Sequence, residues 1–326
     1  MDWSAIGVNT ISAIFAPTTI AYALAALGLA MHFGFAGLLN FGIAGFLAIG
    51  GYGYAISVLT FGFPWWGGIL VSIVGAILLA LLLGIPTLRL RGDYLAIVTI
   101  AGAEILRLLF LTTTFDEVTG SADGLFGYHA SFRAANPIPE GEYGIGAFTY
   151  NEVDTWVRTF GFGVLILVAL TLWSLMRSPW GRVIKGIRED EDAVRALGKN
   201  VFAYKMQALM IGGVFGALGG VVLALPSAVN PMGYVTAQTF FIWTALLLGG
   251  AATIFGPILG AVIFWILQAF LTNFLPALVT SGAIDFVTTQ QMATLRYVIV
   301  GVGLMLIVVF APQGLLGNKK ELTFVK

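Results

Sequence analysis

Two ionisable residues, Glu104 and Arg107, stand inside an apolar run of the length that crosses a bilayer, about 20 residues. Three positions apart, they share one helix face and can pair. A charge within a span is costly and by default functional. The alternatives are a structural ion pair between helices, or Arg107 reaching outward to the interface. No nucleophile or second carboxylate accompanies them, so neither reads as catalytic. His32 and His129 are far apart and lack metal-ligand company; His32, at the end of an apolar run, is expected at the interface, and His129 in a loop. Cysteine is absent, which removes disulfides, thiolate chemistry and Cys-based metal sites. A phosphate-cradling G-x-x-x-x-G-K-[ST] loop is also absent, since Gly198-Lys199 is followed by Asn200. No catalytic residue, cofactor or metal is therefore assigned to this chain, and ATP-driven work would fall to other polypeptides.

The elements that must position Glu104 and Arg107 are membrane helices. Of 326 residues, 59% are hydrophobic and 10% charged, with a mean hydropathy of +0.95; a soluble domain carries about 25% charged residues. Apolar runs fall near 9–31, 36–60, 66–85, 95–114, 157–176, 206–225, 238–255, 257–275 and 294–312. They predict an all-α polytopic bundle of about nine spans, within a single domain over residues 1–326. Across 238–275, Gly249-Gly250 and Gly256-Pro257 interrupt the run, which reads as two spans or as broken half-helices. The first run has no Lys or Arg before it, so it is expected to remain as a span rather than be cleaved as a signal.

Cations set the orientation, because Lys and Arg in short loops stay on the cytoplasmic side. Segment 177–205 carries Arg177, Arg182, Lys185, Arg188, Arg195, Lys199 and Lys205, which places it inside. Counting spans puts Arg89 and Arg91, and Lys319, Lys320 and Lys326, on the same side. Loop 115–156, with seven acids against Arg133 alone, then lies outside. The expected arrangement is N-terminus outside and C-terminus inside.

Glycines cluster at Gly34–Gly53, around Asn40, and at Gly249–Gly260, around Thr253. Similar interrupted segments in two halves of a chain point to a transport pathway built from an internal pseudo-repeat. Close helix packing is the competing reading, and Gly212, Gly216 and Gly220 at four-residue spacing suit it.

The cytoplasmic segment is the most informative. Val183, Ile187, Val194 and Leu197 form an imperfect apolar stripe, and acids gather at Glu189–Asp192, where a helix N-terminus favours them. A short helix from about Asp190 to Leu197, stopped by Gly198, fits these signals. A charged helix lying on the membrane surface fits them too.

Asp192-Ala193-Val194-Arg195-Ala196-Leu197-Gly198 resembles the E-A-A-x-x-x-G signature of ABC importer permeases, with Asp for Glu and Val for the second Ala. Other stretches resemble the LivM-like branch of the branched-chain amino acid permease family in the same order. They are Gly37-Leu38-Leu39-Asn40-Phe41-Gly42 through Gly50-Gly51-Tyr52, Leu88 to Thr99, Glu104-Ile105-Leu106-Arg107 and Thr119 to Gly124. Gly249-Gly250, Phe255-Gly256-Pro257, Gly260-Ala261 and Pro312-Gln313-Gly314-Leu315 follow. The resemblance covers about residues 20–317 of the chain.

It implies a multi-pass inner-membrane subunit working with a second homologous permease, two cytoplasmic ABC ATPases that bind the ATP, and an extracytoplasmic solute-binding protein. It implies ATPase docking through Glu191, Asp192, Ala193, Val194, Arg195, Leu197 and Gly198. Asn40, Glu104 and Arg107 are expected in the translocation path or as a bundle ion pair. The implied cargo is a branched-chain or other small neutral amino acid, with urea or short amides as the alternative within the same architecture. An ATP-independent channel or secondary transporter is the competing class. Membrane lipid is an expected partner and nucleic acid is not.

Overall fold

The computed structural model describes residues 3–89, 92–280, 288–310 and 313–317. Arg91, Lys319, Lys320, Lys326 and Pro312, named above, lie outside the described residues. The chain is helical almost throughout: α1 (Trp3–Ser12), α2 (Pro17–Leu29), α3 (Ile43–Leu59), α4 (Trp65–Thr87), α5 (Gly92–Leu111), α6 (Asp116–Thr119), α7 (Ala130–Ala134), α8 (Glu152–Arg177), α9 (Pro179–Glu189), α10 (Glu191–Ala196), α11 (Val201–Ala224), α12 (Thr236–Gly249), α13 (Phe255–Thr280) and α14 (Thr289–Phe310). One antiparallel hairpin, β1 (Glu142–Ile145) with β2 (Phe148–Asn151), departs from the all-α expectation.

Each apolar run contains a helix, but the bounds differ in instructive places. The first run is not one helix: α1 and a tight turn over Ala13–Phe15 end at Ala16, and α2 starts at Pro17. The proline ring disfavours the helical region for the residue before it, and Ala16 is extended with ψ 140°. The last turns of α2 widen to π-helical geometry over Ala30–Phe35, and helix resumes only at Ile43. The 238–275 stretch is two helices, parted at Gly250, whose φ of 118° an L side chain rarely adopts.

Among the described residues, six segments are long and apolar enough to cross a membrane: Pro17–Phe35, α4, Tyr94–Leu111, α8, α11 and α13. The shorter α3 and α12 reach about 26 and 21 Å at 1.5 Å per residue, against about 30 Å of hydrocarbon.

Packing centres on Pro17–Phe35, which is 89% buried where Tyr94–Leu111 is 17% buried. α11 lies against α2, α3 and α4, and α13 against α2 and α12. Small residues make this possible without a hydrophobic drive between helices in lipid. A Cβ added to Gly212 would lie 2.5 Å from the Gly28 carbonyl oxygen, and one on Gly219 would lie 2.6 Å from that of Ala21.

α11 separates two ends of the molecule. Its N-terminus adjoins α9, α10 and Arg89, which stacks on Phe202 with its guanidinium carbon 5.3 Å from the ring centre. Near its C-terminus, the Tyr128 hydroxyl is 3.0 and 2.6 Å from the carbonyl oxygens of Ala224 and Ser227, and Leu125 bridges to Val229. Loop 115–156 therefore caps the end opposite the α9–α10 arm. Its interior is borrowed from the helices: Phe132 packs against Trp65, Trp156 and Phe160. Burial, with the Arg133 charge adding to it, lowers the His129 pKa there.

Candidate functional site

Three places hold the polar side chains that sequence reasoning singled out. The first is the arm. Ser178 accepts from the Gly181 amide and Pro179 takes the first helical position, so α9 starts where capping rules put a helix. Gly181, Ile184 and Ile187 are buried, and Trp180 Nε1 donates to Gln207 Oε1 at 2.7 Å, fixing α9 to α11. Asp190 then breaks out of helix (φ −155°, ψ 101°) and caps α10 by accepting from the Ala193 amide at 3.0 Å. Gly198 ends the unit with φ +75°, the left-handed conformation typical after a helix.

The expected helix at Asp190–Leu197 is thus α10, Glu191–Ala196, but α9 before it is a separate helix that the apolar stripe did not separate. The stripe itself needs correction: Ile184 and Ile187 face the bundle, while Leu197 is 78% exposed. No residue of α10 is buried. Its charges pair among themselves, Arg195 with Glu191 at 2.7 Å and with Asp192 at 2.8 Å, and Glu191 also meets Lys205. Such exposed pairs contribute about 0–1 kcal/mol each and leave a nearly neutral surface. Beside it a cleft of about 650 Å³ opens between Leu88, Arg89 and the start of α11.

The second place is the break between α2 and α3. His32 is completely buried rather than interfacial. Its Nε2 lies 3.0 Å from the Leu209 carbonyl and its Nδ1 3.0 Å from Asn40 Nδ2. Donation by Nε2 and acceptance by Nδ1 satisfies both contacts. Asn40 Oδ1 then accepts from the Gly42 amide at 2.7 Å, and the Asn40 carbonyl accepts from Trp243 Nε1 at 3.1 Å. Thr99 Oγ1 accepts from the Phe41 amide, and Thr239 Oγ1 from the Ala44 amide. Non-helical backbone at membrane depth survives only where protein groups satisfy it; here α5 supplies Thr99 and α12 supplies Thr239 and Trp243, while the Leu209 carbonyl of α11 holds His32 in place. The signal for His32 lay in Asn40, eight residues on, whose polar side chain also had to be satisfied.

The third place is α5. Arg107 Nη2 and Glu104 Oε1 are 2.6 Å apart, and the Thr236 hydroxyl donates to Glu104 Oε2 at 3.3 Å. The expected pairing is present, and it sits near the start of α12. The same helix leaves Ile97, Ile105, Leu108 and Leu109 exposed. Asn40 and Glu104 share no contact; α12 links them, through Trp243 and Thr236. Among the described residues no group of His, Asp and Glu is placed to hold a metal.

Helices of this length and apolarity, broken where side chains take over the backbone hydrogen bonds, define a membrane-embedded, multi-pass protein. The family described as branched-chain amino acid transport system / permease component matches residues 12–310, and the chain belongs to that family. It is 33% identical over 271 residues to the high-affinity branched-chain amino acid transport system permease protein LivM of Escherichia coli. That match takes in 79% of this chain but only 63% of the relative's length. The probable LivM of Methanocaldococcus jannaschii is 28% identical over 93% of this chain and 92% of its own. The E. coli permease protein LivH is 25% identical over 91% of each chain.

Proposed function

We propose that this chain is the permease subunit of an ABC importer, forming with a second, homologous permease the path for branched-chain or other small neutral amino acids. Separate ATPase subunits drive the cycle and a solute-binding protein delivers cargo to the 115–156 cap. The LivM and LivH relatives support the transport class and a two-permease assembly. The observation that carries the reading is the arm. α9 is anchored in the bundle, whereas α10 buries nothing of its own and is offered to a partner. In this reading α10 docks on an ATPase, the arm end is cytoplasmic, and the N-terminus is outside. The bundle has nine crossings, with α3 and α12 as short ones completed by non-helical chain.

Glu104 and Arg107 belong to the path or brace it. An ion pair on the edge of a helix so little buried in its own chain requires cover other than hydrocarbon, and the second permease supplies it. Coupling requires that ATP and the binding protein favour different states of the pair.

Reconstitution tests this. Proteoliposomes holding the chain with its neighbouring permease, ATPases and binding protein are expected to accumulate radiolabelled leucine only when ATP is present. Accumulation by the chain alone without ATP would establish a self-sufficient carrier instead. Glu104→Gln is expected to lower the ATP-driven rate or the yield of assembled complex.

A further inference from the structure

Arg188 lies on the buried side of α9, near its end, with its side chain 6% exposed. Its Nη1 donates to the Gly34 carbonyl at 2.5 Å, across 154 residues of sequence, and its guanidinium also meets Glu189 at 2.6 Å. Gly34 sits in the π-helical end of α2, where the hydrogen bonding is shifted. The Ala36 amide goes to Met31, Gly37 to Phe33 and Leu38 to His32. The carbonyls at a helix C-terminus lack intrahelical donors, and the arm supplies one to Gly34. Gly37, at φ +69°, lies beneath the same side chain: a Cβ there would come 3.2 Å from Arg188 Cγ.

Gly34 also touches the other interrupted segment. A Cβ at Gly34 would overlap the Ala251 carbonyl, in the link between α12 and α13. The end of α12 is held from below by the chain after α14, where the Leu315 and Leu316 amides donate to the Leu248 and Gly249 carbonyls. On the other side of the junction, Trp243 lies between Phe33 and Phe41, with ring centres 4.8 and 4.9 Å away, and donates to the Asn40 carbonyl. One guanidinium therefore joins the exposed arm to the place where both broken helix pairs meet. Neither break is a continuous helical ladder: side chains hold the α2–α3 turn, and at the α12–α13 link the Thr253 hydroxyl donates to the Gly250 carbonyl and accepts from the Gly256 amide, both at 3.0 Å. When packed junctions of this kind move, they switch between discrete states rather than bend smoothly.

We propose that Arg188 is the positioning residue that transmits movement of the α9–α10 arm to the α2–α3 and α12–α13 breaks. It rests on the importer reading only for its second test, not its first. A push on α10 moves α9, Arg188 carries the Gly34 carbonyl with it, and the Asn40 turn and the Ala251 link shift together. Coupling along such a route needs a demonstration that both ends bias one element, and two readouts provide it.

The first uses the full chain alone in lipid nanodiscs. Arg188→Gln is expected to speed hydrogen–deuterium exchange at least tenfold in peptides spanning Phe33–Gly42 and Gly250–Phe255. Arg182→Gln, on the exposed side of α9, is expected to leave both unchanged. The second uses the complete reconstituted complex. Arg188→Gln is expected to keep ATP hydrolysis and ATPase co-purification within twofold of wild type while uptake falls at least tenfold. Arg188→Lys, which keeps the charge and N–H donors but loses the guanidinium fork, is expected to fall between. Unchanged exchange would overturn the latch. Faster exchange with normal uptake would overturn its coupling role, as would loss of ATPase binding in parallel with uptake. If the wild-type complex shows no ATP-driven uptake, the importer reading fails while the exchange result still decides the latch.

Discussion

Replacing Gly212 by leucine is expected to deplete the folded chain severely. At this position α11 crosses α2 at backbone contact: the added Cβ would lie 2.5 Å from the Gly28 carbonyl oxygen and overlap His32 Nε2. Neither neighbour can yield. The Gly28 oxygen belongs to helical backbone, and His32 is held between Leu209 and Asn40. Overpacking a tight core costs about 1–3 kcal/mol when side chains can move. Displacing His32 adds about 1–3 kcal/mol by leaving buried polar groups unpaired. Together these come to about 2–6 kcal/mol, enough to reach the low end of the whole stability of a typical domain, about 5–15 kcal/mol. Monodisperse protein recovered from membranes is expected to fall at least tenfold. Gly163→Leu is the control, since that glycine of α8 has nothing within 4 Å of where its Cβ would be. Its effect is expected to stay within about 0.5 kcal/mol. Equal recovery of the two variants would contradict the backbone-contact account of the α2–α11 pair.

The second large effect is functional and leaves the fold intact. Ala193 is exposed on α10, which buries nothing, so Ala193→Arg has no internal contact to break. Against a docked ATPase the same change drives a long cation into a packed interface. Central interface positions lose about 2 kcal/mol or more when disrupted, roughly thirty-fold in affinity. ATP-driven uptake is expected to fall at least tenfold while yield and melting temperature match wild type. Gly198→Val attacks the same unit through the backbone. A β-branched residue at φ +75° costs about 1–2 kcal/mol, so the C-terminal end of α10 is expected to loosen and uptake to fall with it. Normal uptake by both variants would remove the docking role.

What could be read in advance divides by range. α10 is legible because its signals are local, an acidic first turn and Gly198 as stop, although Asp190 proves to be its cap rather than its first residue. The Glu104–Arg107 pair follows from three-residue spacing alone. Ser178-Pro179 carried an equally local start signal for α9, and Ala16-Pro17 a stop for the first run, but the long apolar and charged patterns around them hid both breaks. The hairpin at 142–151 depends on Gly146 in its turn, at φ +63°, within a segment too polar and glycine-rich to give a clear alternation. His32 was misplaced because a histidine at the end of an apolar run has the same sequence whether it meets lipid headgroups or a buried asparagine. Only the fold brings Asn40, Leu209 and Trp243 around the break. The Arg188 contact with Gly34 belongs to this second kind, being set by which helices pack together rather than by any pattern along one of them.

The proposed docking role of α10 is tested most directly by crosslinking. The chain has no cysteine, so Ala193→Cys creates a single thiol on the exposed face of α10. It can carry a short photoactivatable crosslinker in membranes that also hold the proposed ATPases, second permease and binding protein. Irradiation is expected to join this chain to an ATPase subunit, with the yield changing between nucleotide-free and ATP-bound states. The same label at Gly163→Cys, within α8, is expected to join to none. Crosslinks from position 193 to lipid alone, with no ATPase product in either nucleotide state, would contradict the assignment.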